Sequence, residues 1–313
     1  MKANTVLFIV GPTASGKSEL AVALAKKLGG EVLSADSMLV YKDMDIGTAK
    51  LTRTERRGVP HHGIDLIPRT RNFSVFAYRQ YALRTIKDIQ KRGKAPIIAG
   101  GTGFYVRALL EGFSPQPGAN PAIRRKLEAE ARLRGLPALY KRLLKADPKR
   151  AREIGPHNQR RIIRALEILM VSGKKPSAVS GKSPGLRELG YRPVVIGIHR
   201  DRQALYGRIN RRVDKMFRNG LVREVRRLMR SKFSRTALQG VGYKEVVEHL
   251  KAHPEPADWS GVKERIQKTT RHFAKRQWTW FKRERGIRWV WWPETVPVSK
   301  MVKFILHGGF YAR

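Results

Sequence analysis

The 313-residue chain contains no cysteine. Disulfides, thiolate-ligated zinc, iron–sulfur clusters and thiol catalysis are thereby excluded, and thiol redox chemistry with them. Acidic residues are scarce: 25 Asp and Glu stand against 65 Lys and Arg, a formal charge of +40 spread along most of the chain. A field of that sign attracts polyanions, and nucleic acid is favoured as the partner over a merely solvated basic surface. Long apolar runs are missing as well. The run near the start, Val6 to Val10, flows into a glycine-rich loop as a buried strand does, and nothing approaches the roughly 20 apolar residues of a membrane helix. A cytoplasmic protein without a membrane partner is expected. With 41% hydrophobic residues the chain has enough apolar surface for one large core, or for a core with a smaller attached domain.

Apolar spacing then places the elements. Val6–Val10 predicts a strand entering Gly11, and Leu20, Leu24 and Leu28 predict a helix over Glu19–Leu28 that stops at Gly29 and Gly30. Glu31–Ser34 predicts a second strand ending near Asp36, Phe76–Gln90 an amphipathic helix, and Pro96–Ala99 a third strand. Such alternation implies an α/β fold with a parallel sheet flanked by helices. From Ser114 to Pro121 the chain is rich in Pro, Gly and Asn, and through Val171 it reads as charged helix, which predicts an inserted, all-helical smaller domain. A strand returns at Val194–Ile198, and a helix pair over Gln203–Met229 breaks at Asn219-Gly220. The expected division is a core of residues 1–113 and 191–313 around an insertion of residues 114–190, with Lys174–Gly185 as a mobile connection.

The segment Gly11, Pro12, Thr13, Ala14, Ser15, Gly16, Lys17, Ser18 matches G-x-x-x-x-G-K-[ST] and lies between a predicted strand and a predicted helix, the context that motif requires. The fold is therefore expected to be like that of the P-loop NTPases. Glycines let backbone N–H groups turn toward phosphate oxygens, the helix start adds its positive end, Lys17 supplies a point charge, and the Ser18 hydroxyl can ligate Mg²⁺. Nucleotide hydrolases add an acidic residue at the end of an apolar strand to hold the metal. Here the strand Pro96–Ala99 runs instead into Gly100, Gly101, Thr102 and Gly103, and the nearest strand-end acid is Asp36.

Further segments extend the pattern: Asp36-Ser37 with Val40-Tyr41; Met44 to Lys50; His61-His62 with Asp65; Phe73-Ser74; Gly100 to Tyr105; Asn158 and Arg164 to Glu167; Arg208-Ile209 with Arg212; Gly240 to Tyr243; and Lys275 to Gln277 with Thr279 to Phe281. In this ordered set, spanning nearly its whole length, the chain resembles the tRNA dimethylallyltransferases, or isopentenyltransferases. That resemblance implies transfer of the dimethylallyl group from dimethylallyl diphosphate to N6 of the adenosine 3′ of the anticodon, in tRNAs reading codons that begin with U. It implies Mg²⁺ as cofactor, tRNA and the diphosphate as partners, and a monomer. Asp36 becomes the candidate base for the attacking amine, with a metal-supporting or capping role as its alternative. Arg208 becomes a candidate clamp on the leaving diphosphate or else one more surface arginine, and Thr13 a candidate partner of the diphosphate bridge or a plain turn residue.

An adenine inside a stacked loop must be flipped out to react, and Thr102 is expected to line its channel. The family pattern extends tRNA contact to Asp36, Ser37, Met38 and Leu39, to Arg124, and to Gln239, Gly240, Val241, Gly242, Tyr243 and Lys244. Cations mixed with aromatics in Lys275, Arg276, Gln277, Trp278, Thr279, Trp280, Phe281 and Lys282 suit phosphate contact and base stacking, although Trp280 and Phe281 suit a core equally well. Arg160, Arg161 and Arg164 share a predicted helix with Ile163 and Leu166, so they meet either RNA or solvent. His61 and His62 are read as structural, or as lining near the acceptor, since adjacent side chains diverge and no further ligand stands at metal spacing. Leu39 replaces a common Gln and Phe104 a common Leu of the family. An ATP-dependent nucleoside or RNA kinase, and an RNA-binding protein without activity, are the competing readings.

Overall fold

Every residue of β1, Thr5–Val10, is buried. Leu7 and Ile9 leave one face of the strand for one hydrophobic cluster, while Val6, Phe8 and Val10 leave the other face for a second. Both faces are covered, which is why the segment is apolar throughout instead of alternating. Helix α1, Lys17–Leu28, packs Leu20 and Leu24 on the first face and ends at Gly29, whose φ of 59° suits a residue without Cβ. Then come β2 (Gly30–Ser34), the two-residue β3 (His61–His62), α2 (Val75–Lys91), β4 (Ala95–Gly100) and α3 (Gly103–Leu110). The computed structural model describes residues 4–114, 116–178, 183–254 and 258–308.

Two compact units make up the chain, Gly112–Pro184 and the remainder. The smaller unit is helical: α4 (Pro121–Ala146), kinked at Gly135 ahead of Pro137, α5 (Pro148–Ile154) and α6 (Gln159–Ser172) enclose Leu127, Leu139, Leu143, Ile162 and Leu166. Inside it Glu167 is fully buried and accepts from the Asn120 N–H at 2.7 Å, from Arg124 at 2.6 Å and from Arg164 at 2.8 Å. Burial alone would raise its pKa; those donors outweigh it and hold the carboxyl below its ordinary range. This unit closes at Pro184, short of the expected residue 190, because Leu186 returns to the main core beside Tyr105 and Leu109, its N–H bonded to the Leu109 carbonyl. Residues 179–182 of the connection anticipated at Lys174–Gly185 lie outside the described residues.

The larger unit resumes with β5 (Arg192–His199), α7 (Arg202–Arg218), α8 (Leu221–Leu228), α9 (Tyr243–Ala252), α10 (Ser260–Lys282), β6 (Ile287–Trp291) and α11 (Val298–Leu306). All pairings in the sheet are parallel, in the order β3-β2-β4-β1-β5-β6. Consequently the loops after β1, β2, β4 and β5 leave from one edge of the sheet, where α/β proteins build their sites. The sequence pattern picks out neither β3 nor β6, the first because two residues carry no periodicity and the second because Arg288 interrupts a run of only five residues. Among the described residues no helix is long and apolar enough to cross a membrane.

Candidate active site

Gly11 to Ser18 forms the turn from β1 into α1. Gly11 needs to be glycine, since a Cβ there would lie 2.8 Å from the Ile198 carbonyl oxygen, and Gly16 caps α1 at φ 94°. The first-turn N–H groups of α1 have no partner within the helix and carry its positive end, as an anion requires. Buried Arg200 braces the loop from behind. Its Nε donates to the Ser15 carbonyl at 2.6 Å, its Nη1 donates to the Trp292 carbonyl at 3.0 Å, and its guanidinium lies 4.2 Å from the Trp292 ring. Burial, with Arg208 nearby, brings its pKa down to about 10.

Lys17 is buried and donates to the Pro12 carbonyl at 3.0 Å. Burial lowers its pKa to about 8, the Asp36 carboxylate opposing that fall and the Arg212 guanidinium adding to it. Arg212 is also pushed down by burial and held up by Asp36. Lys17, Arg212 and Asp36 therefore share one electrostatic neighbourhood. Arg212 donates through Nη1 to Thr13 Oγ1 and through Nη2 to the Thr48 carbonyl, both at 3.0 Å, and Arg208 donates to the Ala14 carbonyl at 2.9 Å. The two arginines stand four apart on one face of α7, a spacing that singles out Arg212 as well as Arg208, while the intervening Arg211 turns to Glu294. A cavity of about 700 Å³ opens on this side of the loop, lined by Lys17, exposed Ser18, Arg208 and Arg212 together with Val22, Ile46 and Met216.

Asp36 follows β2 and is half-buried, its Oδ1 accepting from the Met38 N–H at 2.9 Å. The neighbouring turn after β4 meets this loop directly. The Thr102 N–H donates to the Ala35 carbonyl at 3.1 Å, and the Ser37 N–H donates to Thr102 Oγ1 at 3.0 Å. A Cβ at Gly100 would fall 2.2 Å from the Ala35 carbonyl oxygen, so only glycine lets the two loops approach. Thus the P-loop residues, Asp36, Thr102 and Arg208 meet in one region.

Several residues expected on the RNA-facing surface lie elsewhere. Tyr243 is fully buried; its hydroxyl donates to Glu224 at 2.6 Å and accepts the Gly47 N–H at 3.1 Å, fixing the loop that carries Thr48. Burial, reinforced by Glu224, drives its phenol well above the usual range. Gly240 and Gly242 are buried, Val241 is half-buried, and Gln239 and Lys244 are exposed. Phe281 is wholly in the core beside Tyr78 and Leu109. Gln277 is also buried, its Oε1 accepting from the Thr13 N–H at 2.7 Å and its Nε2 donating to the Gly101 carbonyl at 2.9 Å. Trp278 stacks on His199 at 4.5 Å and meets the Trp289 edge, while half-buried Trp280 lies under Arg107 at 4.5 Å. Lys275, Arg276, Thr279 and Lys282 occupy the exposed side of α10. In the helical unit Arg124 and Arg164 are committed to Glu167, whereas Arg160 and Arg161 are exposed. His62 pairs with Glu31 at 2.7 Å and His61 Nδ1 lies 2.8 Å from the Val59 carbonyl, so both serve the β3 edge. Met38 and Leu39 are half-buried, and the Leu39 carbonyl accepts the Asp65 N–H.

The family model described as IPP transferase matches residues 39–284. A Thermoanaerobacter protein (strain X514) named tRNA dimethylallyltransferase is 47% identical over 290 residues, 91% of this chain and 90% of that one. Its namesake from Geobacter metallireducens is 42% identical, with 92% and 93% of the two chains covered. Among solved structures, the full-length tRNA isopentenylpyrophosphate transferase of Bacillus halodurans is 38% identical with a TM-score of 0.70, covering 97% of this chain and 96% of that one. A eukaryotic dimethylallyltransferase acting on tRNA superimposes with a TM-score of 0.77 at 27% identity, over 98% of this chain and 80% of its own. Sequence identity sustained along nine-tenths of the chain, with the same fold beneath it, makes this protein a member of the tRNA dimethylallyltransferase (IPP transferase) family.

Proposed function

We propose that the protein transfers the dimethylallyl group of dimethylallyl diphosphate to N6 of the adenosine 3′ of the anticodon, in tRNAs reading codons that begin with U, and releases diphosphate. The observation that carries this reading is the grouping of Lys17, Arg212 and Asp36 at one edge of the sheet. Breaking the allylic C–O bond leaves its electron pair on the diphosphate, and Lys17, Arg212, Arg208 and the N-terminus of α1 stabilise that growing charge. The C–N bond forms from the nitrogen lone pair, and the surplus amine proton passes to the Asp36 carboxylate. Thr13 Oγ1 accepts from Arg212, which leaves its O–H to donate to the diphosphate bridge.

Mg²⁺ fits the residues present. The exposed Ser18 hydroxyl at the head of α1 would hold the ion, which would supply charge neutralisation for the departing diphosphate. Outside the pocket, Arg160, Arg161, Lys244, Lys275, Arg276 and Lys282 are exposed cations for the tRNA backbone. Thr102 marks the way in for the flipped adenine.

Mass spectrometry of nucleosides from tRNA treated with protein, donor and Mg²⁺ tests donor, acceptor and reaction together. One adenosine of the anticodon loop should gain a five-carbon unit. Unchanged adenosine, with phosphate incorporated from ATP instead, would establish the kinase.

A pH dependence follows from Lys17. Burial brings its pKa down to about 8, so the ammonium form needed by a diphosphate predominates below pH 8, is half lost at about pH 8 and is progressively lost above it. Donor affinity should therefore decline as pH rises through about 8, steepening toward at most about tenfold per pH unit above it. Titration calorimetry with inorganic diphosphate between pH 7 and 10 measures this, and in Lys17→Met the break at pH 8 should vanish.

A further inference from the structure

Gln277 sits on the inner side of α10 and is 6% exposed. Its carboxamide is the link between two loops that carry opposite halves of the proposed reaction. On one side it accepts the Thr13 N–H of the phosphate loop at 2.7 Å; on the other it donates to the Gly101 carbonyl at 2.9 Å. Thr102, the next residue, holds Ala35 through its N–H at 3.1 Å and Ser37 through its hydroxyl at 3.0 Å, and Asp36 lies between those two anchors. The fit leaves no slack, because a Cβ at Gly101 would fall 2.2 Å from Gln277 Nε2.

From this geometry we infer that Gln277 is a positioning residue that sets the distance between the allylic carbon of the donor and the acceptor nitrogen, so that the carbon is captured by nitrogen and not by water. The inference rests on the prenyl-transfer reading above. Both outcomes share the departure of diphosphate with the C–O electron pair. In transfer, the carbon then takes the nitrogen lone pair and the amine proton goes to Asp36. In the wasteful branch it takes a lone pair of water, whose proton goes to solvent, giving dimethylallyl alcohol. Only the placement of the acceptor chooses between them. Reacting atoms must lie about 3–3.5 Å apart, and a misplacement of about 1 Å costs on the order of 10²-fold in rate. Because the Thr13 N–H is already given to Gln277, the donor does not depend on it for affinity. Loss of the amide therefore disturbs alignment more than binding.

Gln277→Met keeps the length of the side chain and removes both hydrogen bonds. In single turnovers of the full chain, with saturating dimethylallyl diphosphate, Mg²⁺ and an anticodon stem-loop RNA, prenylated RNA and dimethylallyl alcohol are measured in the same samples. Prenylation should slow by about 10²-fold and the ratio of alcohol to prenylated RNA should rise by about tenfold or more. The Kd values for inorganic diphosphate and for the RNA should each move by less than about threefold. Gly101→Ala, which pushes the amide from its other side, should raise the same ratio and serves where Gln277→Met unfolds. A fall in folded enzyme lowers both products together, so an unchanged ratio in both variants overturns the inference. So does a loss of rate fully accounted for by weaker diphosphate binding. Wild-type protein that yields no prenylated RNA sinks the transfer reading itself, and this inference with it.

Discussion

Replacing Asp36 by Asn should slow prenyl transfer by about 10²- to 10⁴-fold, the usual worth of a positioned general base. The amide preserves what the carboxylate does for the fold, because an Asn oxygen can still accept the Met38 N–H that Asp36 Oδ1 holds at 2.9 Å. What disappears is the capacity to take the amine proton. Binding of the anticodon stem-loop, followed by fluorescence anisotropy, should stay within about threefold of wild type, since base and affinity are separate functions here. Equal losses of affinity and rate would leave Asp36 with a binding role alone and contradict its assignment as the base. Removing its charge also takes away the favourable field that now offsets part of the burial cost of Lys17 and Arg212. The break in donor affinity near pH 8 should accordingly shift to lower pH in Asp36→Asn.

Lys17→Met should lower kcat/KM for the donor by about 10²- to 10³-fold, as removal of one charge-stabilising donor does in other transfer enzymes. Met retains the buried stem and leaves the Pro12 carbonyl without the ammonium that Lys17 placed 3.0 Å away. Arg212→Lys should fall in the same direction. One guanidinium now joins Thr13 Oγ1 to the Thr48 carbonyl at 3.0 Å on each branch, and a lysine reaches only one of them. Pre-steady-state measurement separates the effects: Lys17→Met should weaken both diphosphate binding and the chemical step, whereas unchanged diphosphate binding in both variants would remove these cations from the leaving-group site.

Much of this site could be read from residue order alone, for a physical reason. A phosphate loop is a local object in which strand, glycines and helix start lie within one short stretch, so Gly11 to Ser18 is recognisable before any fold is known. The strands β1, β2, β4 and β5 announced themselves because strands of a parallel sheet covered on both faces carry short, largely apolar runs. Parallel alternation in turn sets Asp36 and Gly100 to Gly103 at the same edge as the loop. Arg208 stood out through its place in the family pattern.

Tertiary structure alone decided which chemically similar side chains do which work. Arginines are alike in sequence, yet Arg124 and Arg164 are spent on buried Glu167 while Arg160 and Arg161 remain exposed. Within Lys275 to Lys282, cations and aromatics suggested one RNA-facing strip, but a helix turns successive residues about its axis. Gln277 and Phe281 therefore face inward while Lys275, Thr279 and Lys282 face out. Tyr243 went to the interior because Glu224, 19 residues before it, and the Gly47 N–H, 196 residues away, satisfy its hydroxyl there. Partners separated by a hundred residues or more leave no trace in local periodicity, and the Thr13–Gln277–Gly101 connection is of that kind. Local spacing determined the chemistry on offer at the sheet edge; long-range packing determined its alignment.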